Sequence, residues 1–229
     1  MRVKILSWNI WVDGNFGEIA DFLKAFNADI IGLQEVQADD QKRDAVGFLK
    51  SLGYECAFAP IKKVWGGKTW NDGPAIFSRY KMVKAETYLL SKVKARAAVR
   101  ADIKIGNKIL RVFNVHLAHT HQRETVEQNE QAENFIKALS PEWTIALGDF
   151  NATPASAVIR KMRSVMVDTD YSEAPTWSVY PEGCLECNPR KIDTRLDYIF
   201  LSKDIKLISA KVENSRASDH LPISAIIEI

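Results

Sequence analysis

Short apolar strands alternate with amphipathic helices along the whole chain, and that alternation restricts it to an α/β fold. Val3–Trp8 reads as a strand, followed by a helix over Phe16–Phe26 with Phe16, Ile19, Ala20, Leu23 and Phe26 on one face. A buried strand over Asp29–Val36 follows, then a helix over Lys42–Leu52 that stops at Gly53. Tyr54–Pro60 and Pro74–Ser78 read as strands, with a turn at Asn71-Asp72-Gly73 between them. Ala97–Ile105 and Lys108–His116 form a hairpin around Gly106-Asn107. The pattern continues with a helix over Gln122–Leu139, a strand over Trp143–Leu147 and a short helix over Ala155–Arg163. Leu196–Ser202, Ile205–Val212 and Leu221–Ile229 complete the set as strands, and the mixture of hairpins and crossovers implies mixed sheets.

No repeat or Pro/Gly/Ser-rich linker interrupts the 229 residues, so one domain over residues 1–229 is expected. The 46% apolar and 26% charged composition is that of an ordinary globular protein. No run approaches the ~18 apolar residues of a membrane span. The first residues enter strand alternation without the apolar core of a signal peptide, so a cytoplasmic location is the expectation. A net charge of +2 neither requires nor excludes a nucleic-acid partner, because local patches matter more than the sum.

The informative positions are those where polar residues end or interrupt apolar strands. Asn9 follows the first strand, Glu35 ends Ile-Ile-Gly-Leu-Gln-Glu, and His116 ends Val-Phe-Asn-Val-His. Asp149 and Asn151 end Thr-Ile-Ala-Leu-Gly-Asp-Phe-Asn, and i, i+2 spacing in extended chain points both side chains the same way. Asp197 interrupts Arg-Leu-Asp-Tyr-Ile-Phe, and Asp219 and His220 precede the last strand. Ligands of open α/β sheets bind at strand ends, so these residues are expected to form one site.

The chemistry open to such a set is narrow. The chain lacks G-x-x-x-x-G-K-[ST], G-x-G-x-x-G and G-x-S-x-G, which removes support for nucleoside triphosphate use, Rossmann cofactors and serine hydrolysis. Carboxylate and amide oxygens suit a hard cation, Mg²⁺ or Mn²⁺. Such an ion stabilises charge on a phosphoryl oxygen and activates a bound water, while a further carboxylate can take the water's proton.

At these positions the chain resembles the endonuclease/exonuclease/phosphatase superfamily, the pancreatic-DNase-like fold. The resemblance rests on Ser7-Trp8-Asn9-Ile10, Leu33-Gln34-Glu35-Val36, Asn114-Val115-His116-Leu117, Gly148-Asp149-Phe150-Asn151, Leu196-Asp197-Tyr198-Ile199 and Ser218-Asp219-His220-Leu221-Pro222. Each motif alone is weak, but all six run in the family's order over nearly the whole chain. The resemblance implies a four-layered α/β sandwich, two mixed β-sheets flanked by helices. It implies Glu35 as principal metal ligand with Asn9 and Asp219 completing or flanking the metal site. It also implies Asp149 as activator of water, Asn151 as holder of water or phosphate, an Asp197–His220 pair, and phosphate contacts from His220 and His116.

Two departures narrow the expectation. Abasic-site endonucleases of this superfamily carry Asn-x-Asp-Gly at the first motif, where this chain has Trp11 at the Asp position. They also have Tyr followed by Pro-Asn where it has His116-Leu117-Ala118. The expectation is therefore a phosphodiester hydrolase outside that branch, a nuclease acting on DNA as a monomer. The alternative substrate is a small phosphorylated molecule or lipid headgroup.

Several features stay open. Basic residues gather at Lys92, Lys94, Arg96 and Arg100, at Lys62, Lys63 and Lys68, and at Arg160, Lys161 and Arg163. The first two groups are a phosphate-tracking groove or merely solvated loops. Trp65 and Trp70 belong to a substrate-contacting loop or pack on a sheet, and Trp177 is assigned to the core. Asp72 is a turn residue or a partner of His116; taken alone, Asn151 reads more readily as a cap of the helix near Ala155, and Asp219 as a turn residue, than as ligands. Cys184 and Cys187 form a lone C-x-x-C, a zinc half-site or redox pair by spacing. Without a second C-x-x-C, two reduced thiols are the expectation, and His119 and His121 are read as polar caps, with His119 facing substrate as the alternative.

Overall fold

The computed structural model describes residues 1–65, 67–91 and 96–229. The elements, in chain order, are β1 (Arg2–Asn9), α1 (Phe16–Phe26), β2 (Ile30–Gln37), α2 (Ala45–Ser51), β3 (Glu55–Phe58), β4 (Ile61–Trp65), β5 (Lys68–Ser78), β6 (Met82–Ser91), β7 (Arg96–Ile105) and β8 (Lys108–His116). They continue with α3 (Val126–Ala138), β9 (Thr144–Asp149), α4 (Ala157–Val165), β10 (Val167–Asp168), β11 (Asp197–Leu201), β12 (Lys206–Val212) and β13 (Ile223–Glu228). Among the described residues, no helix is long and apolar enough to cross a membrane.

Two mixed sheets face each other. One runs β12-β13-β1-β2-β5-β3 with β4 added on β5, and the other runs β10-β11-β9-β8-β7-β6. Strand alternation builds three apolar layers from these sheets. Ile5, Ile30 and Ile76 from the first sheet meet Val99, Val112, Ile145 and Ile199 from the second. The opposite face of the first sheet (Leu6, Trp8, Leu33, Phe77) packs on Ile19 and Leu23 of α1 and Leu49 of α2. The outer face of the second (Phe113, Ala146, Tyr198, Phe200) packs on Phe135 of α3 and Ile159 and Met162 of α4. The four-layered α/β sandwich is thus present.

Helix starts follow side-chain caps. Asn15 accepts from the Glu18 amide, Asp44 from Gly47, Thr125 from Gln128 and Ser156 from Ile159. Thr125 explains why α3 begins later than its periodicity predicts, and Ser156 rather than Asn151 caps α4. The segment over Lys42–Leu52 divides into a 3-10 turn at Gln41–Arg43 and α2, because Asp44 opens a new helix.

The Asn71-Asp72-Gly73 turn is not present. All three residues lie inside β5, paired with β2 on one side and β4 on the other. β4 and β5 pair from Ile61 with Asp72 to Trp65 with Lys68, so the segment carrying Trp65 and Trp70 is a β-ribbon. β6 was not expected from sequence, since its exposed, polar-rich face hides the alternation.

Two features aim the strand ends. β1 and β2 run parallel, as do β8 and β9, so both sheets present C-terminal strand ends at one edge. The β2–β5 register shifts between Leu33 and Val36, and Glu35 sits in that bulge at φ 60°. The bulge re-aims Glu35 at the site edge. Beneath it, Asn114 of the second sheet accepts from Gln34 Nε2 at 2.7 Å and donates to the Leu33 and Ala75 carbonyls at 2.8 Å each. This amide ties the two sheets together.

Candidate active site

Strand register puts three of the expected residues in a row. His116 at the end of β8 lies opposite Asp149 at the end of β9, and Asp149 lies opposite Asp197 at the start of β11. Asn9 ends β1 across the gap between sheets, and its Nδ2 donates to both Glu35 Oε1 at 3.2 Å and Asp149 Oδ2 at 3.0 Å. Glu35 Oε2 accepts from the Val12 amide at 2.8 Å, while Asn9 Oδ1 accepts from Trp11 N at 3.0 Å. Arg43 donates to the Ile10, Trp11 and Gly14 carbonyls and so fastens this loop. Sequence spacing gave no sign of that role.

Asp149 is the centre. Its Oδ1 accepts from the Asn151 amide at 2.8 Å and its Oδ2 from Asn151 Nδ2 at 3.2 Å. Asn151 achieves this in a left-handed turn at φ 48°, not in the extended chain assumed from its spacing. The Nε2 atoms of His116 and His220 lie 3.5 and 3.7 Å from Asp149 Oδ2. Asp197 Oδ2 receives His220 Nδ1 at 2.9 Å and the Thr176 hydroxyl at 2.6 Å. Asp219 Oδ2 accepts from Trp177 Nε1 at 3.2 Å. Trp177 is buried as expected, yet its polar end serves the site, a contact that only tertiary structure creates.

All eight residues proposed from sequence therefore converge: Asn9, Glu35, His116, Asp149, Asn151, Asp197, Asp219 and His220. Asp72 does not bond His116; it pairs with Lys63 at 2.8 Å and lines a cleft with His116 and Arg96.

Burial sets the protonation states. Asp149 is pushed up to about 7 by desolvation, opposed by His220 and reinforced by Asp197. Asp219 is pushed up to about 6, again mainly by desolvation. Burial opposes charging of His220, but Asp197, Asp219 and Asp149 prevail and hold its pKa well above the usual value. His116 has burial and the positive field of Arg96 and Lys63 against its charge, which hold it well below. Two neighbouring imidazoles thus take opposite states, one cationic and one neutral.

The set fits a divalent metal ion. Its donors at Asn9, Glu35 and Asp219 are oxygens, the choice of a hard cation. Asp149, Asp197 and His220 bring one donor atom each within 4.8 Å of one another, and Asp197 Oδ1 is buried without a hydrogen-bond partner among the described residues. A cation here offsets the under-compensated charge that burial leaves on Asp149 and Asp219.

The basic groups are mostly engaged. Lys63 pairs with Asp72, Arg100 with Asp102 and Glu86, Arg160 with Glu124, Lys161 with Glu133, and Arg163 with Asp168 and Glu173. Lys92 and Lys94 lie outside the described residues.

The fold has many solved counterparts. An endonuclease/exonuclease/phosphatase from Bacteroides vulgatus superposes with TM-score 0.79 at 21% identity, covering 100% of this chain and 99% of that one. The human Nocturnin catalytic domain with bound sulfate gives 0.74 at 22%, covering 99% and 93%. A mannosyl-6-phosphatase from Bacteroides thetaiotaomicron gives 0.72 at 20%, covering 99% and 100%. No curated protein matches the sequence. The profile of the Endonuclease/Exonuclease/phosphatase family matches residues 6–220, a span that contains every strand-end residue of the site. The chain belongs to that family of phosphoester hydrolases.

Proposed function

We propose that this protein is a divalent-metal-dependent phosphoesterase, using Mg²⁺ or Mn²⁺, with Asp149 as the group that takes the proton of the attacking water. The observation that carries this reading is Asp149 itself: buried, held by two asparagines, flanked by two imidazoles and poised near neutral pH. Glu35, with Asn9 and Asp219 beside it, would hold the metal ion. That ion supplies charge neutralisation at the phosphoryl oxygens and an acidified water. Asn9 and Asn151 orient the Asp149 carboxylate. His220, kept cationic by Asp197, offers its Nε2–H to a phosphoryl oxygen; His116, kept neutral, offers a hydrogen bond without added charge.

The substrate read first from sequence is DNA. Ion pairing of Lys63, Arg100, Arg160, Lys161 and Arg163 instead favours a small phosphorylated molecule, because paired cations release few counterions from a polyanion. Exposed Lys62 and Lys68 on the β4–β5 ribbon support DNA as the second reading.

A metal-supplemented panel tests both parts: single- and double-stranded DNA, RNA, 5′-tyrosyl DNA, sugar phosphates, inositol phosphates and sphingomyelin. Chelation is expected to abolish turnover, and Asp149→Asn to lower it roughly 10²–10⁴-fold. Full activity of that variant, or of the chelated enzyme, refutes the mechanism. Substrate binding that weakens steeply with salt, with a log–log slope of about −0.9 per phosphate neutralised, restores DNA. Flat salt dependence supports the small substrate.

A further inference from the structure

Beside the Asp149 site, two loops from distant parts of the chain bring four nitrogen and sulfur donors together. His119 Nε2 lies 3.4 Å from Cys187 Sγ, and His121 Nδ1 lies 3.5 Å from the Sγ atoms of both Cys184 and Cys187. All four donor atoms fall within 4.8 Å of one another. We infer that His119, His121, Cys184 and Cys187 form a zinc-binding site in the dithiol form of the protein.

Spacing is the first argument. Tetrahedral zinc with bonds of about 2.3 Å to sulfur and 2.05 Å to nitrogen sets its sulfur and nitrogen ligands roughly 3.5 Å apart. The three sulfur–nitrogen separations match that value, while the two sulfurs, bonded to each other in the disulfide, have to open to roughly 3.8 Å on reduction.

Orientation is the second. A metal-bound imidazole hands its remote N–H to an acceptor, which fixes the ring and its tautomer. His119 Nδ1 is bonded to Asn151 Oδ1 at 2.9 Å, and His121 Nε2 to Glu186 Oε2 at 3.0 Å. Each ring is therefore held with its free nitrogen towards the sulfurs. The Cys187 amide donates to Cys184 Sγ at 3.1 Å, which favours a thiolate there. The apolar cover of Trp177 and Leu196 limits water. Two thiolates and two imidazoles suit zinc and not the hard cation of the oxygen-rich site.

The structure joins Cys184 and Cys187 in a disulfide, correcting the expectation of two reduced thiols. A dithiol reductant supplies two electrons and two protons to the pair and leaves as its own disulfide. Zinc then displaces the two thiol protons to solvent, and both Cys–Zn bonds form without further redox change. The bound metal cross-links the His119–His121 loop to the Cys184–Cys187 loop. Through His119 it steadies Asn151, which holds Asp149.

The test is Co²⁺ titration of the full chain after dithiol reduction and anaerobic desalting, followed by displacement with Zn²⁺. Wild type is expected to develop a thiolate-to-cobalt charge-transfer band with tetrahedral d–d bands at one equivalent. Glu35→Gln, altered in the oxygen-rich site and bonded to Asn9 and Val12 rather than to Asn151, is expected to keep them, and their loss in it would assign the bands to the oxygen-rich site and overturn the proposal. Glu186→Gln should weaken Co²⁺ binding about 10-fold, and His121→Ala roughly 100-fold or more. Alkylation is a second readout on the unmutated protein: zinc should protect two thiols, while Cys56, pushed up to about 11 by burial, reacts slowly with or without it. Absence of the charge-transfer band in reduced wild type, a pair that stays oxidised in excess dithiol, or alkylation indifferent to zinc overturns the site. Unchanged affinity in His121→Ala overturns the four-residue ligand set.

Discussion

His220 Nδ1 lies 2.9 Å from Asp197 Oδ2 in an almost fully buried pair, and that contact keeps His220 cationic beside Asp149. Asp197→Asn removes the charge but keeps the shape. His220 should then lose its proton at a lower pH, and turnover should fall roughly 10²–10⁴-fold. The alkaline limb of the pH–rate profile should move to lower pH. An unmoved limb means that Asp197 does not set the state of His220. The same pair also contributes stability, present in full below about pH 6.5 and lost as pH rises through the raised native value.

Asp149 and Asp219 have the opposite linkage. Their native pKa values of about 7 and about 6 exceed the ordinary 3.8, so the native state keeps protons that the unfolded chain releases. Their contribution to stability is therefore full below about pH 3.8 and is lost as pH rises to 7. A divalent cation competes with those protons. Mg²⁺ should raise Tm more at pH 8 than at pH 5, read by differential scanning calorimetry. Equal shifts at the two pH values would show that the cation does not act on these two buried carboxyls.

Asn114 tests the link between the sheets. Asn114→Ala strips two buried carbonyls and the Gln34 amide of their partner. The expected cost is about 3 kcal/mol or more by urea denaturation, with an unchanged m-value. A cost below about 1 kcal/mol would show that water or rearrangement satisfies these groups.

Gly148 tests how Asp149 is positioned. Its φ of 140° disfavours other residues, and a Cβ there would collide with the Val115 carbonyl oxygen. Gly148→Ala should destabilise by about 3 kcal/mol or more and displace the neighbouring Asp149. Both effects are measurable, the first by denaturation and the second as lost turnover. Native stability and turnover in this variant would show that β9 yields to the added methyl at little cost.

Legibility from sequence followed the range of the interactions. Strand alternation and the amphipathic stripe of α1 are local, so Phe16–Phe26 was readable to the residue. Trp8, Phe135 and Phe200 announce their layers by the same periodicity. β6 was not legible, because a strand with a largely exposed polar face carries little apolar signal. Asp72 was misplaced because Asn-Asp-Gly favours a turn locally, while pairing on both sides with β2 and β4 outweighs that preference.

What the sequence determined alone was the α/β pattern and the identity of the eight residues at strand ends, since strands expose their polar residues where their apolar runs stop. Only the tertiary structure decided which of those residues touch. The β8–β9–β11 register aligns His116, Asp149 and Asp197, and the β2 bulge turns Glu35 towards Asn9. It also decided that Trp177 and Thr176 serve Asp219 and Asp197, and that His119 and His121 face Cys184 and Cys187. Those contacts join residues 21 to 68 positions apart, and the packing of whole sheets and loops, not any local preference, brings them within bonding distance.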